Sequence, residues 1–417
     1  MKDLILPQQI NTDELAPYEI IKVLADRQGS PVPDEFKDKV IIDAIHDGNT
    51  IPEKFLHGLQ SQNRSDETLK YYYCKERDWG AELVAGYLAS ALHLEDYFRV
   101  NVARTLLDFG RFPGITGRAA DHMTKFAINY PFSESLSFDQ KRELLEDYYD
   151  VISLGLENYA EDKLLKIAIH SYDEKSPNNV RRPSVSIVTR SLGHQSGLDI
   201  PVTMFDPLVP DELAELTVDP ILRARLALRL EESAIPVADN YPYCFPEGSV
   251  EVRSQVWYFF RYVQHKYDLI HPNLKTELVD NVCPRTLVWN MLLDTNLRSA
   301  QSEALRSYLH MFRKAPAGDE TLFHDARQEY EKIAEFIHCN NNEILRGYRN
   351  FMQRPSSLLI EVRKDLIWEF NNNKPIKPRF ENAQMIARTL ASAVQTYWMT
   401  DRAEKTKALN IFNDRYM

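Results

Sequence analysis

At 417 residues the chain exceeds what one simple core fills, so one large α/β domain with an insertion, or two domains, is expected. A composition of 44% hydrophobic and 27% charged residues, with no low-complexity tract, excludes a disordered or fibrous chain. A net charge of −11 and a pI near 5.6 argue against a nucleic-acid surface, which needs clustered Lys and Arg.

In chain order, Glu14-Leu15-Ala16-Pro17-Tyr18 is predicted to open a short helix that stops near Gly29, within an amino-terminal extension over 1–36. The run Val40-Ile41-Ile42-Asp43-Ala44-Ile45-His46 reads as a buried strand ending at an imidazole. Apolar positions at helical spacing predict a helix over 80–94, and Phe98 to Phe109 reads as a further strand, closed by Gly110 to Gly114. Residues 138–162 are predicted as an amphipathic helix with Leu144, Leu145, Tyr148, Val151 and Ile152 on one face. Leu164 to His170 is a second strand ending in histidine, and Ser184 to Val188 another strand. A helix with an acidic start is predicted over 210–234, and helical patterns dominate from Val250 to about Gly347. Ser357 to Arg363 is a third apolar strand with Glu361 inside it, and a helix over 382–398 follows. Strands alternating with helices imply a three-layer α/β/α class with a mixed, largely parallel sheet. The expected division is a catalytic domain over 37–250 and 356–400, with a helical insertion over 251–355.

Cys74, Cys244, Cys283 and Cys339 lie far apart without a CxxC pair, which suits buried free thiols in a reducing compartment. Met1 to Pro7 lacks a long apolar core, and no stretch nears the roughly 18 apolar residues of a membrane span. A cytoplasmic location with neither membrane nor nucleic-acid partners is expected.

Strands of an α/β fold present their chemistry at the carboxyl edge, so two histidines and a glutamate at strand ends form a metal-site inventory. A hydrolytic zinc takes three imidazole or carboxylate ligands and keeps one position for water. His46 and His170 supply two nitrogens, and Asp47, Glu76 or Asp78 supplies the acid. His93, His122, His194 and His265 have helix or loop settings and are read as ordinary surface or hydrogen-bonded groups. The bland reading of Glu361 is a buried ion pair with Arg363 or another arginine.

Four stretches carry a resemblance: Ile45-His46-Asp47-Gly48-Asn49-Thr50-Ile51-Pro52, Arg77-Asp78-Trp79-Gly80, Arg104 through Gly114, and Ile169-His170-Ser171. Together with Asn240-Tyr241-Pro242-Tyr243 and Leu358 to Arg363, in that order, they resemble the N-formylglutamate amidohydrolase family over about 40–255 and 355–398. The resemblance implies a zinc-carboxypeptidase-like fold with one zinc per chain held by His46, Asp78 and His170. It implies Glu361 as general acid/base, with Glu251, in a similar Glu-Val-Arg step, as its rival. Arg104, Arg111 and Asn240 are implied as substrate-binding residues, the guanidinium fork suiting a carboxylate. Asp47 stands where the family has a small residue, and Gly110 where it has Asn. The implied activity is hydrolysis of an N-acyl amide, N-formyl included, on a small amino acid or similar carboxylate. Deacylation of a larger metabolite, or metal-free binding on the same fold, are the alternatives.

Overall fold

The computed structural model describes residues 10–60, 66–120, 125–191, 205–214, 217–245, 248–272, 283–351, 354–372 and 374–402. Contacts divide the chain into two compact units, Met1–Ser191 with Leu216–Ser249 and Ser356–Met417, and Leu192–Glu215 with Val250–Pro355.

The first unit is built on a seven-stranded sheet. Its strands are β1 (Tyr18–Lys22), β2 (Val40–Ala44), β3 (Asp96–Val100), β4 (Leu165–Tyr172), β5 (Val185–Val188), β6 (Val237–Asp239) and β7 (Ser356–Arg363). The order is β1-β3-β2-β4-β7-β5-β6, with β3, β2, β4 and β7 parallel and β1 and β5 antiparallel to their neighbours β3 and β7. This is the mixed, largely parallel α/β sheet expected. Every residue of β2, β4, β5 and β7 is buried, which is why these segments read as near-continuous apolar runs.

Strand alternation sorts the two faces of the sheet. Val40, Ile42, Ala44, Leu165, Ile167, Ile169, Val185, Ile187, Leu358, Ile360 and Val362 enter one apolar core with helices Ala81–Ala91, Pro220–Glu232 and Phe380–Thr396. Alanines at the buried positions of Ala81–Ala91 and Phe380–Thr396 let these helices approach closely. The opposite face therefore carries the intervening residues: Asp43, Lys166, His170, Ser186 and Glu361. Lys166 Nζ meets Asp43 Oδ2 at 2.5 Å, a buried pair on this polar face. Helix Asp150–Ala160 flanks the β1–β3 edge, where Gly155 makes room for the Tyr18 ring: an added Cβ would lie 2.3 Å from it.

Two expectations fail, one because a neighbouring strand supplies the pairing and one because local turns end the strand. The helix predicted near 14–29 is instead β1, where the run Tyr-Glu-Ile-Ile-Lys pairs antiparallel with β3 and Tyr18 stacks on Phe98 at 4.8 Å. The extension thus supplies an edge strand. The strand predicted to Phe109 ends at Val100. Beyond it Leu106 N and Leu107 N both donate to Ala103 O, turns that draw Arg104 and Asp108 onto one side. The 138–162 segment is helical, but Val151 is exposed, and helix Pro220–Glu232 begins only after Asp219 caps Ile221 N.

The second unit is helical: Val250–Ile270, Pro284–Leu293, Ala300–His310, Glu320–Cys339 and Asn341–Asn350. Within it Asp206 accepts from Tyr330 Oη at 2.9 Å and pairs with His310 Nε2 at 3.1 Å, tying its short segment to two helices. Glu251 lies buried in the first turn of Val250–Ile270, a helix rather than a strand edge. The cysteines are free, yet three are half-buried and Cys339 is exposed, so the expected burial does not hold. Among the described residues no helix is long and apolar enough to cross a membrane.

Candidate metal centre

His46, two residues beyond β2, and His170, in β4, are both buried, as is Asp78 in the turn before helix Ala81–Ala91. Backbone and side-chain bonds lock the three segments together. Asp78 N donates to His46 O at 3.0 Å, and Ser171 Oγ donates to Trp79 O at 3.1 Å.

The donor atoms converge. His46 Nδ1 lies 3.0 Å from His170 Nδ1, His170 Nδ1 lies 2.9 Å from Asp78 Oδ2, and His46 Nδ1 lies 3.6 Å from Asp78 Oδ2. Bonds of about 2.0–2.1 Å in a tetrahedral site imply donor–donor edges of about 3.3 Å. The observed triangle brackets that value, so the donor set fits one small divalent ion. All its ligand atoms lie within 4.8 Å of one another, and the group is able to hold a metal.

The surroundings fix each donor. Asp108 Oδ1 sits 2.8 Å from His46 Nε2, placing a carboxylate behind the ring while Nδ1 faces the other donors. Arg104 bridges the two acids, with Nη1 on Asp78 Oδ1 at 3.0 Å and Nε on Asp108 Oδ2 at 3.1 Å. Burial opposes ionisation of Asp78, but Arg104 and the two histidines outweigh it and hold the carboxyl well below its ordinary range. Burial likewise opposes ionisation of Asp108, and Arg104 and His46 again hold it well below. Burial lowers His170, which stays below its usual value despite Asp78. Burial and Arg104 also press His46 down, yet Asp108 and Asp78 carry it net upward.

The other acidic candidates point elsewhere. Asp47 Oδ1 accepts from Arg77 Nε at 2.7 Å, and its Oδ2 accepts from Gly80 N and Glu82 N, which caps helix Ala81–Ala91. Glu76, half-buried at the end of helix Asp66–Glu76, stands outside the donor cluster.

Glu361 faces the centre because the β4–β7 register pairs it with His170, and paired residues share a face. It is not paired with Arg363, whose guanidinium grips Asp365 at 2.6 and 3.1 Å. Tyr243 Oη donates to Glu361 Oε1, while Oε2 is buried with no partner among the described residues. Burial first, then the charge of Asp78, pushes the Glu361 carboxyl up to about 8. It can therefore gain and lose a proton near neutrality.

Of the expected substrate-binding residues, Arg104 is engaged as above and Arg111 Nε lies 3.8 Å from Asp108 Oδ2. Asn240 works on the backbone. Its Oδ1 accepts from Thr189 N and Arg190 N, its φ of 52° suits asparagine, and the loop it holds delivers Tyr243. His93 Nε2 bonds Asp26 O; His122 and His194 lie outside the described residues. Asp108 and Tyr243 were given no role by sequence reasoning. Asp108 had a readable signal, the Arg104-x-x-x-Asp108 spacing that one helical turn brings together.

No protein-family profile and no curated protein matches the chain. Among solved structures it is similar to N-formylglutamate amidohydrolase from Ralstonia eutropha JMP134, at 12% identity and a TM-score of 0.44, covering 92% of this chain and 99% of that one. It is also similar to a gene product of Agrobacterium tumefaciens, at 13% identity and a TM-score of 0.43, covering 93% and 100%. Likeness at that level names neither a reaction nor a substrate for this chain.

Proposed function

We propose that the protein is a zinc-dependent amidohydrolase that cleaves an N-acyl amide, N-formyl included, of an amino acid or related carboxylate. One observation carries this reading: two imidazoles and a carboxylate converge, buried, and the strand register sets a second buried carboxyl, Glu361, beside His170. The order of motifs shared with N-formylglutamate amidohydrolases supports it.

His46, Asp78 and His170 would hold a divalent ion, which would supply Lewis acidity and make water nucleophilic near neutral pH. The chain's own residues do the rest. Glu361 takes a proton from the attacking water through Oε2, which has no partner among the described residues. The carbonyl carbon gains the oxygen, the C–N bond breaks, and Glu361 returns the proton to the departing nitrogen. Tyr243 holds the Glu361 carboxyl in line through Oε1. Asp108, 2.8 Å behind His46 Nε2, holds the ring with Nδ1 toward the centre. Arg104 and Arg111, expected to bind substrate, offset the charges of Asp78 and Asp108 on this wall.

The test is amine release from N-formyl-L-glutamate and a panel of N-acyl amino acids by zinc-loaded protein. Turnover lost with Glu361→Gln while zinc stays bound supports the reading. Absence of turnover across the panel at full zinc loading refutes it.

A further inference from the structure

At the carboxyl edge of β4 and β7 the register pairs His170 with Glu361 and, one pleat further on the same face, Tyr172 with Arg363. Over Tyr172 lies Arg182, its guanidinium carbon 5.2 Å from the ring centroid. Its backbone is fixed on both sides: Arg182 N donates to Glu174 O at 2.8 Å, and Arg363 Nη1 donates to Arg182 O at 3.0 Å. The side chain is half-buried, and its Nε is fully covered without an acceptor. No carboxylate, carbonyl or hydroxyl of the described residues accepts from this guanidinium.

That sets Arg182 apart from the arginines around it. Arg104 is held by Asp78 and Asp108, Arg77 by Asp47, and Arg363 by Asp365. A guanidinium cannot shed its charge, and covering it without an anion is unfavourable. Stacking on an aromatic face holds its plane and leaves the donor edge for a planar anion. Tyr172, the ring beneath Arg182, stands two residues along β4 from His170, about 6.6–6.8 Å of strand. The field of Arg182 is already felt at the catalytic carboxyl, since it is one of the cations acting on Glu361.

We propose that Arg182 is a specificity-determining residue that receives the substrate's carboxylate, at the strand edge beyond His170 and Glu361. The inference rests on the reading of this site as one for N-acyl amino acids. It makes a carboxylate the feature that selects the substrate.

Calorimetric binding of N-formyl-L-glutamate and of its neutral diamide to the full chain in EDTA tests this without turnover. The intact protein should bind the acid about 10- to 100-fold more tightly than the diamide, the range of a charge-assisted fork. Arg182→Gln should erase that preference. Arg182→Lys, which keeps the cation over Tyr172, should retain only part of it and guards against a folding defect. Arg181→Gln, next in sequence, exposed and paired with Glu174, should leave it unchanged. Equal preference in Arg182→Gln and the intact protein, or no preference in the intact protein, overturns the inference. Amine release by zinc-loaded intact protein is read in parallel. Its absence, with the Arg182-dependent preference present, overturns the hydrolase reading and leaves carboxylate recognition by Arg182 standing.

Discussion

Asp108 reaches the donor cluster through His46 and, by way of Arg104, through Asp78, so its removal should loosen the metal without touching it. Asp108→Asn is expected to weaken zinc binding about 10- to 100-fold in a competition titration with a chromophoric chelator. Gly110 acts on the same ring, because an added Cβ would lie 3.2 Å from His46 Cε1 and 3.3 Å from Asp108 Oδ1. Glu361 gives a pH signature. Its folded pKa is about 8, above the 4.5 of an ordinary glutamate, so the native state binds the extra proton between those values. Its contribution to stability is complete below about 4.5 and is lost as pH rises through about 8. Denaturant midpoints of the full chain in EDTA should therefore fall across that window, and Glu361→Gln should flatten the decline. A slope equal in both proteins contradicts the burial argument. At this scale the sequence was most informative where burial forced a choice. His46, His170 and Glu361 end or interrupt apolar runs, and their exposure is 4%, 4% and 1%. Arg182 and Tyr243 sit in loops, where no periodicity reports which way a side chain turns.

The register of β4 on β7 is the element that brings His170 and Glu361 together, since a one-residue slip would turn Glu361 into the opposite core. Two features beneath the centre hold that sheet face in place. Lys166 and Asp43 form a pair with side-chain exposure of 6% and 0%, so removing one partner strands a charge. Lys166→Met should cost about 3–5 kcal/mol by chemical denaturation, and adding Asp43→Leu should recover much of the loss. Gly48 follows the His46 turn at a close backbone crossing, where a Cβ would meet Asn101 O and Val102 O at 2.5 Å. Gly48→Ala should destabilise by about 1–3 kcal/mol, because backbone cannot step aside as a side chain can. Buried parallel strands were legible as apolar runs. The edge strand β1 was not: half-exposed and short, it looks like helix until β3 supplies its partner.

On the scale of the whole molecule, one polypeptide builds a sheet unit that contains His46, Asp78, His170 and Glu361, and a helical unit. The helical character of 250–350 was readable from its periodicity. Its link to residues near Asp206 was not, because that association rests on long-range bonds from His310 and Tyr330. The sequence also left open which acid completes the donor set. Asp47, Glu76 and Asp78 are equivalent in type and neighbourhood, and only the fold shows Asp47 turned to a helix start. The most direct measurement is metal content per chain, by mass spectrometry of elements, on full-length protein purified without chelator, beside His170→Ala. About one zinc per chain in the intact protein, lost in the variant, is the expected result. Intact protein that takes up no divalent metal, even after incubation with zinc, would contradict the account.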